Sequence, residues 1–337
     1  MMDVDGSTGE GGGQVVRTAV ALAAATNTDV RIDRIRAGRE TPGLRPQHVA
    51  AVEAVGTMCD ADIEGVEVGS RKLFFRPRAV EGGRYSVDVG TAGSTSLVAQ
   101  AVVLAAVTSD ADVEFTVTGG TDVRWSPPHD YLEHVTVPLL RHSGVEVDVE
   151  IRRRGYYPEG GGEIEVDVEG MEPTEVDLRR RGEHRSTTLY IHASNLSSDV
   201  VNRMAESARR RLEREDVEDV DVETETSESL STGAGVVAVA EFERSRLGAS
   251  ALGEPGRPAE DVGRAAAERL LTETDADGAV DRYAADQIAP YLAFAGGSYT
   301  TTEVTGHLKT NVELCERFLG DPKIDGAEVT ASKGWLG

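Results

Sequence analysis

A histidine in the C-terminal part of the chain has the surroundings of a nucleophile. His307 lies in the segment Thr305–Asn311, where a strand-like stretch passes into a helix-like one. Gly306 permits close backbone approach, and the N-terminus of a helix offers N–H donors to an anion such as phosphate. A single histidine at a helix start is also commonly a cap or a surface residue, so this segment alone leaves both interpretations open.

A carboxylate and a guanidinium flank a run of glycines near the N-terminus. Glu10 precedes Gly11–Gly13, and Gln14 and Arg17 follow at the start of a predicted helix. This arrangement could hold a metal-bound phosphate beside the helix N-terminus. A tight turn with an ordinary acidic residue would use the same residues, because neither the Walker spacing nor GxGxxG is present.

A second group of donors follows the next predicted strand. Arg36 and Arg39 come directly after that strand, and Gln47 and His48 come after a Pro-containing loop. These side chains could converge at one end of the sheet, where arginine forks suit phosphate oxygens. Surface arginines are common, so an ordinary basic surface is the alternative interpretation.

An aromatic ring and an amide lie four residues apart near the C-terminus. We predict that a helix begins at Asp281, on which Tyr283 and Gln287 share one face. A ring and an amide can together hold a nucleotide base. A half-buried tyrosine at a domain junction would explain the same pair.

The composition predicts a cytoplasmic α/β protein with one large and one smaller domain. The 337 residues are 39% hydrophobic, and this length is about twice that of a usual domain. Cys59 and Cys315 have no CxxC partner, which argues against a disulfide framework and against a cysteine zinc site. No leader-like segment and no apolar run long enough for a bilayer are present, so we expect neither secretion nor membrane insertion.

The net charge of -24 argues against a general nucleic-acid binder, because phosphate contacts need Lys or Arg. We suggest that the acidity is a solvation device for a salt-rich cytoplasm, where screening over ~3 Å at molar salt removes long-range repulsion. Arg17, Arg31, Arg34, Arg36, Arg39 and Arg45 lie early in the chain, whereas Glu213–Glu228 is strongly acidic. A local positive site can therefore persist on a negative protein.

Three segments share one order of elements: a glycine-containing stretch, an apolar helix, a strand, a loop and a second helix. In the first segment the helix ends at residue 25 and is followed by strand 29–35 and helix 47–58; the second has helix 97–107, strand 113–117 and helix 129–142; the third has helix 284–295, strand 300–304 and helix 307–319. Strand pairs 62–68 with 73–76 and 145–151 with 162–168 follow the first two segments, and strand 327–332 follows the third. We interpret this as a βαβαββ-like unit used three times, with Gln14, Gln100 and Gln287 in or just before the first helices.

Residues 185–274 break the spacing of the repeat, and we interpret them as an inserted small α/β domain. Its predicted elements are strand 187–192, helix 200–213, strands 220–226 and 236–244, and helix 259–273. The large domain would then consist of residues 1–184 and 275–337.

Several short motifs in this order resemble those of one family. They are Asp5-Gly6, Gly9 to Gln14, Ile35 to Arg39, Pro42-Gly43-Leu44, Gly119 to Asp122, Pro127-Pro128, Tyr157-Pro158 with Gly160 to Gly162, Asp286-Gln287 and Gly306-His307-Leu308. They resemble the RNA 3'-terminal phosphate cyclases of archaeal type, here with a halophile-like acidic composition. The resemblance implies three βαβαββ units related to the C-terminal domain of translation initiation factor three, with a smaller α/β domain inserted before the last unit.

The resemblance also implies an activity, that of an AMP-forming ligase. His307 would attack the α-phosphorus of ATP, release pyrophosphate and carry AMP as a phosphoramidate. The enzyme would then adenylate an RNA 3'-phosphate, and the neighbouring 2'-hydroxyl would expel AMP and leave a 2',3'-cyclic phosphate.

The family's functional residues transfer to this chain in three groups. Carried over by position, Arg17, Arg36, Arg39, Gln47 and His48 would hold phosphates; Glu10 would support Mg²⁺ or Mn²⁺; and Gln14, Gln100, Pro127, Tyr131, Tyr283, Asp286 and Gln287 would line the adenylate pocket. Tyr131 lies where relatives carry Phe, a change that keeps a stacking face. The expected partners are ATP and RNA with a 3'-phosphate end, without a membrane, and the oligomeric state, a homodimer included, is left open.

Two other functions compete with this interpretation. Cyclase-like proteins of ribosome assembly share the fold but lack the catalytic histidine, so His307 argues against a non-catalytic RNA-binding role. Enolpyruvyl transferases contain six such units in two equal lobes, so the length and the insertion argue against that class.

Overall fold

The computed structural model describes residues 1–9, 12–320, 322–332 and 335 as a mixed α/β protein with small mixed sheets. The helices are α1 Gln14–Ala25, α2 Pro46–Met58, α3 Thr95–Ala106, α4 His129–Tyr131, α5 Val137–Leu140, α6 Ser198–Glu213, α7 Ala259–Asp275, α8 Ala285–Ala295 and α9 Gly306–Leu319. The strands are β1 Met2–Asp5, β2 Val30–Asp33, β3 Asp62–Glu64, β4 Leu73–Arg76, β5 Gly83–Asp88, β6 Val113–Gly119, β7 Val145–Arg153, β8 Gly162–Met171, β9 Val176–Leu178, β10 His184–Ser194, β11 Val220–Ser227, β12 Gly233–Phe242, β13 Arg246–Leu252, β14 Gly297–Thr300, β15 Lys323–Asp325 and β16 Glu328–Ala331.

Three of the sheets have corresponding strand orders. They are β1-β2-β4-β3, β5-β6-β8-β7 and β9-β14-β16-β15. In each, the first two strands are parallel and the other pairings are antiparallel. Parallel neighbours require a crossover connection, which is usually helical. Helices α1 and α3 are the crossovers of the first two sheets, and α8 is the last part of the much longer crossover in the third.

The central helices are apolar on almost every face. In α1, eleven of the twelve residues are buried, and α3 is similar. A helix that is hydrophobic all round must lie in the interior. Helix α1 packs against α2, α3 and α9, and α8 packs against α9, so the main core lies between the three sheets. This packing brings the N-termini of α1 and α9 to the same region.

The fourth sheet has the order β11-β10-β12-β13 and a core of its own. Helices α6 and α7 pack against each other, α6 contacts β10, and α7 contacts β12 and β13. Leu189, Met204 and Leu270 are among the residues buried between the sheet and these helices. No helix in the described part of the chain is long and apolar enough to cross a membrane.

The predicted helix 129–142 was wrong as one continuous element. The chain forms α4, a π-helical segment Leu132–Thr136, α5 and a 3₁₀ turn Arg141–Ser143. Pro138 explains the interruption, because proline has no N–H to donate and its ring clashes with the carbonyl four residues earlier. In a π-helical turn the hydrogen bonds span five residues instead of four, so the helix accommodates the proline ring without that clash.

Other predicted elements differ at their boundaries or were missed. Strands β1, β5, β9, β13 and β15 were not predicted. Strands β1, β9 and β15 have only three or four residues, and β5 has exposed residues on alternate positions. The predicted strand 300–304 is instead β14, which begins at Gly297 with φ of +105°, a value that glycine tolerates. Strand β9 precedes residue 185 yet pairs in parallel with β14, so the segment 185–274 interrupts the third sheet instead of preceding it.

Candidate active site

A cavity of about 990 Å³ gathers the predicted site residues. Its lining includes Gln14, Arg17, Arg36, Arg39, Gln47, His48, Gln100, Pro127, Tyr131, Tyr283, Asp286, Gln287 and His307. The residues come from all three segments of the predicted repeat. Glu10, the predicted metal ligand, lies outside the described residues. The structure therefore brings the other thirteen candidates to one place, while their individual roles stay predictions.

His307 is held by the first residue of α1. Thr305 caps α9 by accepting a hydrogen bond from the Leu308 N–H at 3.1 Å, which places His307 in the first turn. The side-chain oxygen of Gln14 contacts Nδ1 of His307. The amide nitrogen of Gln14 donates to Oδ2 of Asp286 at 2.8 Å and to the carbonyl of His307 at 3.2 Å.

This network determines the protonated nitrogen of the imidazole. The Gln14 nitrogen must face Asp286 and the His307 carbonyl, because both are acceptors and the amide oxygen would repel them. Oε1 of Gln14 therefore faces Nδ1, which must carry the proton and donate it. In this tautomer Nε2 of His307 carries the lone pair, as a nucleophilic nitrogen requires.

A second layer of polar residues fixes these groups. The Thr18 hydroxyl donates to Oδ1 of Asn311 at 3.0 Å, and the Asn311 amide donates to the carbonyl of Asp286 at 2.6 Å. Both side chains are buried, so unpaired partners would be costly. Asn311 lies one turn after His307, and this i,i+4 spacing was the signal that could have identified it from the sequence.

Several arginines line the same cavity. Burial lowers the pKa of Arg17 to about 10, with Asp286 acting in the opposite direction, so Arg17 keeps its charge at neutral pH. Burial and repulsion from Arg45 and Arg39 lower the pKa of Arg36. Like charges held this close favour an anion between them. Arg36 is positioned by donating to the carbonyls of Thr41 and Gly43, at 2.8 and 3.1 Å.

His48 acts beside these arginines as a neutral donor. Burial, together with Arg17, Arg36 and Arg45, lowers the pKa of His48 from 6.5 to about 3. Nδ1 of His48 accepts from the Arg45 N–H at 3.0 Å, so its proton is on Nε2. A Cβ atom on Gly13 would lie 1.8 Å from that nitrogen. A side chain at position 13 would therefore force the imidazole of His48 to move, which the sequence could not show.

Amides and aromatic rings form another wall of the cavity. Oε1 of Gln287 accepts from Gln100 at 2.7 Å and from the Thr136 hydroxyl at 2.9 Å. The rings of Tyr131 and Tyr283 meet edge to face with centroids 6.5 Å apart. The prediction that Tyr283 and Gln287 share a helix face was wrong, because α8 begins at Ala285. The Gln287 amide instead donates to the carbonyl of Tyr283 at 2.7 Å.

A buried carboxylate that was not predicted joins three parts of the chain. Asp281 accepts from the Tyr131 hydroxyl at 2.6 Å, from the Gly248 N–H at 2.9 Å and from the Tyr283 and Ala284 N–H groups at 2.9 and 3.0 Å. Burial raises the pKa of Asp281 to about 6. Because Gly248 lies in the segment 185–274, Asp281 couples that segment to the aromatic wall.

A group of three side chains able to ligate a metal lies outside the cavity lining. In the described part of the chain, ligand atoms of His129, Asp130 and Glu133 lie within 4.8 Å of one another. Asp130 is already ion-paired with Arg154 at 2.7 Å, and Nε2 of His129 contacts Glu133 at 2.9 Å. Asp130 and Glu133 are thus already paired, while Nδ1 of His129 has no hydrogen-bond partner among the described residues.

Comparison with known proteins agrees with the geometry. The profile of the family described as RNA 3'-terminal phosphate cyclase matches residues 8–322. Curated relatives carry the same description. The protein of Pyrococcus furiosus is 46% identical over 321 residues, which is 95% of this chain and 94% of that protein. The protein of Archaeoglobus fulgidus is 45% identical over 332 residues, 98% and 99% of the two chains.

The similarity extends to a bacterial relative. The protein of Nitrosospira multiformis, with the same description, is 43% identical over 323 residues, 95% of this chain and 92% of that protein. The match includes the histidine helix, the arginine-lined side and the segment between β9 and β14. On this extent and identity, the chain belongs to the RNA 3'-terminal phosphate cyclase family.

Proposed function

We propose that this protein converts an RNA 3'-phosphate into a 2',3'-cyclic phosphate at the expense of ATP, through a covalent histidine–AMP intermediate. One observation carries the proposal: the tautomer of His307 set by Gln14, beside a cavity lined by arginines. A nucleophilic nitrogen and a concentration of fixed positive charge are the two requirements for nucleotidyl transfer.

In the first step Nε2 of His307 attacks the α-phosphorus of ATP. The N–P bond forms as the bond to the leaving pyrophosphate breaks, and AMP remains on the imidazole. The proton on Nδ1 stays in contact with Gln14, whose oxygen can stabilise the positive charge that develops on the ring. Arg17 and the arginines beside it offset the negative charge on the phosphates.

The second step transfers AMP from His307 to the RNA, and the third step closes the cyclic phosphate. An oxygen of the RNA 3'-phosphate attacks the AMP phosphorus, the N–P bond breaks and His307 regains its lone pair. The adjacent ribose 2'-hydroxyl then attacks the 3'-phosphorus, loses its proton and expels AMP. Adenylation is needed because a phosphate dianion without a leaving group is a poor electrophile.

The two walls of the cavity suit two kinds of group. We assign the phosphates to Arg17, Arg36, Arg39, Gln47 and His48, and the adenylate to Gln14, Gln100, Pro127, Tyr131, Tyr283, Asp286 and Gln287. Nε2–H of His48 donates without adding charge, which suits a site that already holds several arginines.

A divalent cation would be held beside His307 and would neutralise negative charge on the phosphates of ATP. Mg²⁺ is usually bound by one or two carboxylates plus substrate phosphates. In the described lining, Asp286 is a carboxylate beside His307, and this donor chemistry fits the cation. We retain Glu10 as the proposed ligand, and the metal would supply charge neutralisation.

For the architecture we propose three βαβαββ units related to the C-terminal domain of translation initiation factor three. The corresponding strand orders of three sheets support this. Residues 1–184 and 275–337 would form the large domain and 185–274 the inserted one, which has a separate core. A cytoplasmic location is also proposed, since both cysteines are free and buried.

The test is covalent labelling with α-labelled ATP and Mg²⁺ or Mn²⁺ in high-salt buffer. Wild-type protein should acquire an acid-labile, alkali-stable label, and His307→Ala should acquire none. Because His307→Ala also removes the hydrogen-bond partner of the mostly buried Gln14, it should lower the free energy of unfolding by about 1 kcal/mol, and thermal unfolding should show that the variant is still folded. A folded wild-type protein without label would favour the alternative, a non-catalytic RNA-binding protein.

A further inference from the structure

The rim of the cavity carries an aromatic ring that does not contribute to the hydrophobic core. Trp125 is 92% exposed and lines the cavity from the loop between β6 and α4. Its backbone has φ of +63°, a region that bulky residues rarely adopt. Val123, two residues earlier, is only 8% exposed. The loop thus buries its small apolar residue and holds the large one in solvent under strain, which is a feature typical of binding surfaces.

The segment 185–274 contributes positive charge to the same cavity. Arg257 donates to the carbonyls of Leu252 and Asp261, both at 3.1 Å, and Arg269 donates to the carbonyl of Ser250. Neither arginine forms an ion pair with a described carboxylate, whereas most arginines of this acidic chain do. Their charge is therefore available to an anion at the cavity.

An ion pair joins the two sides of this rim. Arg124, next to Trp125, lies 2.5 Å from Glu254 in the turn that precedes Arg257. Among the described residues of the cavity lining, seven are arginines and two are acidic, Asp286 and Glu254. In a chain of net charge -24 this lining is a local reversal of sign.

A positive groove combined with exposed aromatic rings is the usual surface for single-stranded nucleic acid. We propose that the surface formed by Trp125, Arg257 and Arg269, the strand rim, binds the nucleotides that precede the terminal one in a single-stranded RNA. One base stacks on Trp125, and backbone phosphates lie at the two arginines. This inference rests on the proposed function, because RNA whose 3' end is in the cavity must leave across the rim.

ATP is a poorer occupant of the strand rim. Its base is expected at the inner wall, where Tyr131 is 2% exposed and Gln287 is hydrogen-bonded in place. Trp125 offers a ring face on which a base can stack, and no hydrogen-bond donor that would select one base is fixed around it in the described residues. A surface of this kind tolerates any base, which suits an enzyme that acts on RNA ends.

Salt separates the contributions of the ring and of the arginines. Phosphate contacts weaken as salt rises, by about 0.7 in the slope of log K against log salt for each contact with a single strand. Stacking, worth about 1–3 kcal/mol per base, is far less sensitive to salt. At molar salt Trp125 should therefore carry most of the affinity of the rim.

The experiment measures binding and cyclisation of oligoribonucleotide 3'-phosphates of two and ten nucleotides. Trp125→Ala should weaken binding of labelled decamer, measured by anisotropy without ATP, by about 5- to 150-fold, the range that the stacking energy gives. Binding of the dinucleotide should be weakened much less by the same substitution. Labelling of the protein by ATP should be unchanged. Arg257→Gln with Arg269→Gln should reduce the salt slope by about 1.4. Tyr157→Ala is the control, since Tyr157 is 78% exposed but does not line the cavity.

Two results would overturn the inference. One is unchanged decamer binding in Trp125→Ala. The other is an equal loss for dimer and decamer accompanied by a higher KM for ATP in labelling, which would assign the rim to the nucleotide. If wild-type protein binds the decamer through Trp125 but acquires no label from ATP, the proposed function fails and the strand rim stands.

Discussion

Replacement of Gln14 tests whether the tautomer of His307 matters for catalysis. Gln14→Leu keeps the size of a mostly buried side chain but removes the acceptor of the Nδ1 proton. His307 is exposed, so water can partly replace that acceptor. The loss should therefore lie near the lower part of the range for an unsatisfied donor, about 1–2 kcal/mol. This corresponds to adenylation slower by about 5- to 30-fold.

The assay is a single-turnover measurement of label transfer from α-labelled ATP, at saturating ATP. Gln100→Leu is the matched control, because it makes the same change in the same cavity but alters contacts of Gln287. Nitrogen NMR of labelled histidine should show Nδ1 protonated in wild type and in Gln100→Leu, and a mixture in Gln14→Leu. Label transfer at the wild-type rate in Gln14→Leu, or Nε2 protonated in the wild type, would refute the reasoning.

Three further predictions concern the glycine, the neutral histidine and the acidic surface. Gly13→Ala should abolish cyclisation and lower the melting temperature, because its Cβ would lie 1.8 Å from Nε2 of His48; activity retained with His48 in place would contradict this. His48→Asn keeps an acceptor but cannot titrate, so it should flatten the pH dependence of unfolding. The pKa of His48 falls from 6.5 unfolded to about 3 folded, so its stabilisation is complete above pH 6.5 and is lost as pH falls toward 3; parallel curves for the two proteins would contradict this. The free energy of unfolding should rise from dilute buffer to molar salt, because screening reduces repulsion in a chain of net charge -24; equal stability in both would disprove the salt hypothesis.

Patterns in the sequence were sufficient for elements whose burial is periodic or complete. Helix α1 is apolar throughout, and the motif around His307 marks the start of α9. The long strands β7 and β8 also alternate clearly. The short strands β1 and β9 were missed because three or four residues give too little periodicity, and their pairing is decided by distant partners.

The site residues were likewise predictable from local motifs, whereas their contacts with distant segments were not. The motifs indicated which side chains belong to the cavity, but not the bonds between segments far apart in the chain. Gln14 meets Asp286 and His307 across more than 270 residues, and Asp281 meets Tyr131 across 150. Such contacts follow from the packing of α1, α8 and α9, which no single segment encodes. Thr18 and Thr136 were missed for this reason, whereas Asn311 has a local signal in its i,i+4 spacing from His307.

The parallel pairing of β9 with β14 has a consequence for the order in which the chain can fold. The chain leaves this sheet at Leu178 and enters it again at Gly297. During synthesis, all residues of the first two sheets and of the segment 185–274 leave the ribosome before β14 does. Closing so long a loop is entropically little worse than closing a shorter one, but it is slow. Helix α9 follows β14 in the chain, so His307 is synthesised after the segments that carry Arg17, Arg36 and Arg39.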